Sequence, residues 1–360
     1  MKKVLIISIL SAAVFMLMSC RAQAQNHKID DNTQWAVVNV SDAFMRAEPR
    51  YTSECVSQTR MGTLVQVLER KGYWARIKTP EPYEGWVNEL ALAPTRELSP
   101  EEQKETKLYG ATLAPMSRKE AEEYLKAPKL IVVKSYLNKP QRVYKDNGTK
   151  THSREIITTL QAGNIVREGE EKWSEKGRQP WYRFILPDGK KGITTNIFRR
   201  LDTWAEEKAQ LADSLLINNI IHLAKEQLGV PYMWGGMSPG HFDCSGLTGY
   251  CYFMNGILLP RDASQQVQCG IEVPFEQMQK GDLVFFGDTS VGHVAICIGD
   301  HKIIHASQIV RINSLIPGEP DYYGRNILHI RRIIGHIGEG SAQFKPMWLK
   351  DSPDYFAKGR

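Results

Sequence analysis

Apolar positions fall at two spacings along this chain, and the change of spacing divides it. In the first half they alternate in short runs. "GTLVQVLER" (62–70) and "AGNIVREGE" (162–170) each carry a strand pattern after a glycine turn. "GYWARIKTPEPYEGWV" (72–87) and "QPWYRFILPDGKKGIT" (179–194) repeat one another. Trp74 and Trp181 each open a Trp-x-Arg-apolar strand, and Ile77 and Phe184 hold matching places. Gly85 and Gly192 each open a further strand eleven residues after the tryptophan. Period-two runs parted by turn residues predict two small β-barrels. The first is expected over 35–94. The second is expected over 129–202 and is harder to register around "QRVYKDNG" (141–148).

The linking segment, 95–128, is charged. Ser99 and Ser117 each precede an acid by two or three residues, which predicts N-capped short helices in a connector. From residue 202 the period lengthens to that of a helix: "DTWAEEKAQLADSLLINNIIHLAKEQLGV" is amphipathic and ends at Gly229. Further on, "GDLVFFGDTSVGHVAICIGDHKIIHAS" (281–307) reads as three strands with Gly299-Asp300 as a hairpin turn. A third domain of helices and strands is therefore expected over 210–340. The tail, 341–360, reads equally as a packed extension or a loose end. The predicted class is α+β, with two β-barrels ahead of a mixed domain.

Residues 1–20 do not belong to that fold. Lys2 and Lys3 precede an uncharged run, Val4 to Met18, that is short for a membrane span. The run ends at Leu17-Met18-Ser19-Cys20, which resembles a bacterial lipoprotein cleavage box with an unusual Met18. Cys20 is the expected lipidation site, and cleavage after Ala22 or Ala24 is the alternative. Either way an exported protein of the periplasm or cell envelope is expected, with the lipid as its only membrane contact. Loss of the two leader lysines lowers the net charge from +6 to +4. That mild balance suits an anionic wall, and the absence of a basic run with interleaved aromatics argues against nucleic acid.

There are six cysteines, and removing Cys20 leaves Cys55, Cys244, Cys251, Cys269 and Cys297. An odd number in an exported chain leaves at least one free thiol that needs a reason. Cys251, Cys269, Cys297 and Cys55 read as structural. Cys244 is different: it follows the Gly-rich loop "VPYMWGGMSPGHFD" and opens "CSGLTGYCYFM", a helix for which Asp243 is a plausible N-cap. A helix N-terminus favours a thiolate. A nucleophilic thiol needs a base and a group to orient the base. His293 opens the second of the three strands and His305 closes the third. They are equally far from Gly299, so they should lie nearly opposite across the ladder. His241 and His301 read as surface residues. By ligand type Cys244, His293 and His305 also suit zinc, but no fourth ligand or base accompanies them.

The segments "PYMWGG…DCSGLTGY", "LPRDASQQ", "KGDLVFFG" and "GHVAICIGDHKIIHAS" resemble, in order, the NlpC/p60 family of papain-like cysteine peptidases, which cleave peptidoglycan peptides. The resemblance spans about residues 215 to 335. It implies Cys244 as nucleophile, His293 as base, His305 as third member and Tyr232 as a hydrogen-bond donor to the oxyanion. It implies no metal or organic cofactor. The barrels resemble bacterial SH3 domains. Two of them ahead of such a domain resemble the γ-D-glutamyl-L-diamino acid endopeptidases, or dipeptidyl-peptidase VI. Those act on short wall peptides with a free N-terminal L-Ala, and the first barrel caps their cleft. The resemblance therefore implies acids for an ammonium: Asp243, unless it is spent as the helix cap, and Glu84 in preference to Glu81. Ser245 would hold the D-Glu carboxylate. Tyr83, Tyr109 and Tyr124 are unranked candidates for a contributing tyrosine. The rival readings are an endopeptidase or amidase of intact peptidoglycan and a non-catalytic wall-binding protein.

Overall fold

Seven short strands from Gln34 to Ala93 form one antiparallel sheet. They are β1 (Gln34–Val38), β2 (Asp42–Arg46), β3 (Cys55–Arg60), β4 (Leu64–Lys71), β5 (Trp74–Lys78), β6 (Glu84–Asn88) and β7 (Leu92–Ala93). Their spatial order is β3-β2-β6-β5-β4-β1-β7. Met45, Val65, Ile77, Val87 and Leu92 fill its core. The computed structural model describes residues 33–134, 139–148, 154–169, 180–195 and 197–357. The leader and Cys20 lie outside the described residues.

A hairpin of β8 (Thr95–Glu97) and β9 (Ala111–Leu113) brackets α1 (Pro100–Thr106), and α2 (Arg118–Lys126) follows. Ser99 and Ser117 cap these helices, each in a reciprocal box with Glu102 or Glu120, as the sequence predicts.

The second sheet holds β10 (Lys129–Lys134), β11 (Gln141–Lys145), β12 (Ile156–Leu160), β13 (Ile165–Glu168), β14 (Tyr182–Ile185), β15 (Lys191–Thr194) and β16 (Ile197–Arg200). Its order, β12-β11-β15-β14-β13-β10-β16, reproduces the first strand for strand. Ile77 pairs with Gly85, and Phe184 pairs with Gly192, so the repeat read in the sequence occupies the same rungs. The segment that was hard to register is β11, which pairs with β12 and β15. The sheets are not independent: Met61, at the end of β3, is buried in the core of the second.

The expected long helix is two, α3 (Leu201–Ala209) and α4 (Asp213–Glu226). Next come β17 (Met237–Ser238), β18 (His241–Phe242), α5 (Cys244–Phe253), β19 (Ile257–Leu258) and α6 (Ala263–Gln266). A six-stranded antiparallel sheet follows: β20 (Ile271–Glu272), β21 (Leu283–Gly287), β22 (Val291–Gly299), β23 (Lys302–Ser307), β24 (Ile309–Ser314) and β25 (Ile327–Arg332), ordered β20-β25-β21-β22-β23-β24. Helices α4 and α5 bury Ile220, Leu247 and Cys251 against Leu283, Phe285 and Ile296 of that sheet. The tail is a packed extension. Its strand β26 (Met347–Trp348) pairs with β19, and Leu349 and Tyr355 enter the same core.

Candidate active site

Helix α5 opens on Cys244 because the preceding side chain caps it. Asp243 Oδ1 accepts the Gly246 N–H at 2.6 Å, and Oδ2 accepts the Gly235 N–H at 3.0 Å. Gly246 has to be glycine: a Cβ there would lie 1.9 Å from the Gly236 carbonyl oxygen. The cap thus fixes both the helix start and the loop that leads into it.

Cys244 is 8 % exposed. Burial, and after it the Asp243 charge, push its pKa up to about 11, against the backbone N–H groups of Val294 and Ser245, which favour the thiolate. Val294 can spare its N–H because the β22–β23 ladder is paired only from Ile296↔Ile304 towards the turn.

Three neighbouring strands supply a row of polar side chains: His293 from β22, His305 from β23 and Asn313 from β24. His293 Nε2 lies 2.7 Å from His305 Nδ1, and His305 Nε2 lies 2.9 Å from Asn313 Oδ1. The row has a direction. Asn313 Nδ2 donates to the Asp321 carbonyl at 2.7 Å, so its Oδ1 faces His305 and accepts. His305 therefore carries its proton on Nε2 and presents a bare Nδ1. That atom accepts the Nε2 proton of His293, which leaves the lone pair of His293 on Nδ1. Burial holds both rings neutral: His293 is pushed down to about 3, with the neighbouring His305, Arg325 and Arg311 adding to the effect. His305 falls to about 4, chiefly through burial. Tyr323 lies edge-on over His305 at 4.5 Å between ring centroids and tilts over His293 at 5.7 Å. The Val294 N–H that favours the Cys244 thiolate belongs to the residue after His293, and a thiol can attack an acyl carbon while passing its proton to a neutral imidazole.

The histidines meet, but not by the geometry expected. The turn is centred on Asp300 and His301, both at positive φ, rather than on Gly299-Asp300. Continuing the rung Ile296↔Ile304 sets His305 opposite Ala295, two residues from His293. Their contact is diagonal. Tyr232 is half-buried, with its pKa raised by desolvation and next by the Cys244 charge, so its phenol stays a donor. Cys251, Cys269 and Cys297 are buried as expected, and Cys55 is half-buried. His241 and His301 are exposed as expected.

The substrate-side residues named from sequence have partners within the chain. Asp243 is not open to a ligand: it is 6 % exposed and, besides its two backbone bonds, pairs with Arg261 at 2.5 and 3.2 Å. Ser245 is likewise spent inside, accepting from Arg261 Nη1 at 3.0 Å. Glu84 is exposed on β6 and lies 3.4 Å from Arg76, diagonal to it across the β5–β6 ladder. Glu81 is half of a shielded pair with Arg60 at 3.5 Å, and Arg60 stacks 3.9 Å above the Phe253 ring. Tyr124 donates to the Gly62 carbonyl at 2.8 Å, and Tyr109 is 72 % exposed. Tyr83 differs: burial raises it to about 12, and the next contributions come from Asp262, Arg261, Asp243 and Glu54. Asp262 is itself half-buried and raised by desolvation.

Arg261, Asp262 and Asn313 had no role assigned from sequence. The first two stand in "LPRDASQQ", where the signal in the sequence was an arginine beside an acid within a recognisable segment. Arg261 Nε also donates to Ser57 Oγ at 3.0 Å, and Gln58 Oε1 accepts the Met237 N–H at 2.7 Å, so β3 of the first barrel sits on the site loop. Gly235, at φ +78°, lets that strand approach: a Cβ there would lie 2.6 Å from the Cys55 carbonyl oxygen.

The NlpC/P60 family model matches residues 229–332, and that of the bacterial SH3 domain matches 41–92. Residues 229–332 are an NlpC/P60 domain. The chain is accordingly a cysteine-type peptidase, with a bacterial SH3 domain ahead of its papain-like domain. The peptidase is 28 % identical over 273 residues to a gamma-D-glutamyl-L-lysine dipeptidyl-peptidase of Bacillus cereus, covering 72 % of this chain and 70 % of that one. It is 26 % identical over 295 residues to dipeptidyl-peptidase 6 of Lysinibacillus sphaericus, covering 80 % of this chain and 94 % of that one. The crystal structure of an NlpC/P60 family protein from Bacillus cereus superposes with a TM-score of 0.61 at 24 % identity, over 83 % of this chain and 99 % of that one. At that identity the likeness is one of fold.

Proposed function

We propose that this peptidase hydrolyses the bond between γ-D-glutamate and the diamino acid in short peptidoglycan peptides that begin with a free L-alanine. The observation that carries the reading is the contact of β3 with the site loop through Ser57, Gln58 and Arg261, which lays a strand of the first barrel against the loop that leads into Cys244. A capped cleft takes the end of a short peptide and excludes a polymer. The names of the two relatives, gamma-D-glutamyl-L-lysine dipeptidyl-peptidase and dipeptidyl-peptidase 6, support it.

In this reading Cys244 Sγ attacks the γ-carbonyl as its proton passes to His293 Nδ1. His293 then gives that proton to the leaving α-amine, and His305 with Asn313 fixes the tautomer. The Tyr232 phenol and a backbone N–H at the start of α5 donate to the oxyanion. Water releases L-Ala-γ-D-Glu from the thioester. Asp262 and Tyr83, with Glu54 contributing charge, replace Asp243 and Glu84 as the group that meets the substrate ammonium. Export of the protein to the cell envelope, with lipid at Cys20, completes the proposal.

The test compares L-Ala-γ-D-Glu-diaminopimelate carrying a free amino end with its N-acetylated form, using Cys244→Ala as the inactive control. Cleavage of the free form alone is expected. Equal cleavage of both removes the capped-cleft reading and favours an endopeptidase of intact wall.

A further inference from the structure

Two arginines flank the histidine row and no step above uses them. Arg311 lies directly across the β23–β24 rung from His305, so their side chains share a face, as does Asn313 two residues on. Arg311 is half-buried, and its Nε is buried with no hydrogen-bond partner among the described residues. Arg325 is exposed, two residues beyond the Tyr323 ring that covers both histidines, and its N–H donates to the Tyr323 carbonyl at 2.9 Å. Among the described residues neither arginine stands in an ion pair. A half-buried guanidinium without an anion is a costly arrangement unless an anion visits it.

The charges around Tyr83 and around His293 differ. Tyr83 lies in the field of Asp262, Asp243 and Glu54 together with Arg261. His293 lies in the field of Arg325 and Arg311. His293 is the group that protonates the leaving amine, so the leaving residue must lie against it.

We infer that Arg311 and Arg325 form a carboxylate site for the leaving diamino acid, on the histidine side of the cleft. This rests on the function proposed above. Two carboxylates have the right chemistry: the α-carboxylate, present in any C-terminal diamino acid, and the second carboxylate of a diaminopimelate-type residue, which lysine lacks. Guanidinium–carboxylate pairs are the geometry-selective choice for either.

The experiment measures kcat/KM of the full chain on four peptides. They are L-Ala-γ-D-Glu-L-Lys, its C-terminal amide, L-Ala-γ-D-Glu-meso-diaminopimelate, and the last with its α-carboxyl amidated. The chain with Arg325→Gln, and separately with Arg311→Gln, is assayed beside the unaltered protein, each first shown to unfold at the same temperature. Removing the bound carboxylate should lower kcat/KM about tenfold, the scale of one charge-assisted pair. The substitution should erase that preference. A preference for the acid over the amide in both peptide series assigns the α-carboxylate. A preference for diaminopimelate that survives α-amidation assigns the second one. Equal rates on all four peptides, or a preference that persists in both variants, overturns the inference while leaving the peptidase intact. Failure to cleave any of the four by the unaltered chain overturns the proposed bond specificity instead, and this site with it.

Discussion

Arg261→Met offers a decisive test of how the site is held. Arg261 is 2 % exposed, and its guanidinium makes four contacts: two to Asp243, one to Ser245 Oγ and one to Ser57 Oγ of the first barrel. Methionine keeps most of the volume and none of the charge. The Asp243 carboxylate would then be buried beside Cys244 with only the Gly235 and Gly246 N–H groups and the Ser245 hydroxyl left to it. Breaking a buried pair in this one-sided way costs about 3–5 kcal/mol. The melting temperature should fall on the order of 10 °C. Asp243→Asn in the same chain removes the stranded charge and keeps an oxygen for the Gly246 N–H. The double variant should therefore recover at least about 1.5 kcal/mol relative to the sum of the two single changes. Thermal and urea unfolding of the four proteins close the cycle. A loss under about 1 kcal/mol for Arg261→Met, or strictly additive effects, would refute the claim that this pair holds the loop against the barrel.

Two further predictions concern the histidine row. Asn313→Ala removes the acceptor that keeps the His305 proton on Nε2, so His293 can present a protonated Nδ1 to the thiol; kcat/KM should fall about 10- to 100-fold with little change in melting temperature. Asn313→Asp keeps the acceptor and should retain most activity, with its acid limb moved up because a carboxylate stabilises the imidazolium; ring-nitrogen NMR reads the tautomer, and equal loss in both variants would reject the relay. The two buried rings also set a stability profile. Their folded pKa values, about 3 and 4, lie below the ordinary 6.5, so the unfolded chain binds more protons as pH falls below 6.5. Their contribution is full above pH 6.5 and shrinks on acidification, by about 1.4 kcal/mol per histidine per pH unit down to pH 4. Denaturant titration at pH 7, 5.5 and 4.5 checks this, and His305→Gln should flatten the slope.

The amino-acid order carried the local information. Alternating runs with Trp74 and Trp181 at equivalent places were enough to predict a duplicated barrel, because strand periodicity and turn chemistry act over a few residues. Gly-rich loop, Asp243 and Cys244 together announced a capped helix with a thiol at its start, again a local motif. His293 and His305 could be paired because one hairpin joins them. Their rung was misplaced because the turn residues Asp300 and His301 adopt positive φ, and that choice belongs to the hairpin as a whole.

Tertiary structure alone decided where charges ended up. Asp243 and Glu84 are both acids near recognisable motifs, and nothing local distinguishes a ligand from a paired group. Arg261, from a loop eighteen residues after Asp243, claims Asp243, and the register of β5 against β6 sets Glu84 beside Arg76. Asn313 acquires its place only because β24 pairs with β23 on the rung that sets it diagonal to His305. Desolvation, which moves the thiol up and the imidazoles down, depends on how completely the six-stranded sheet and the helices packed on it enclose them. That is a property of packing between distant segments, and no stretch of sequence contains it.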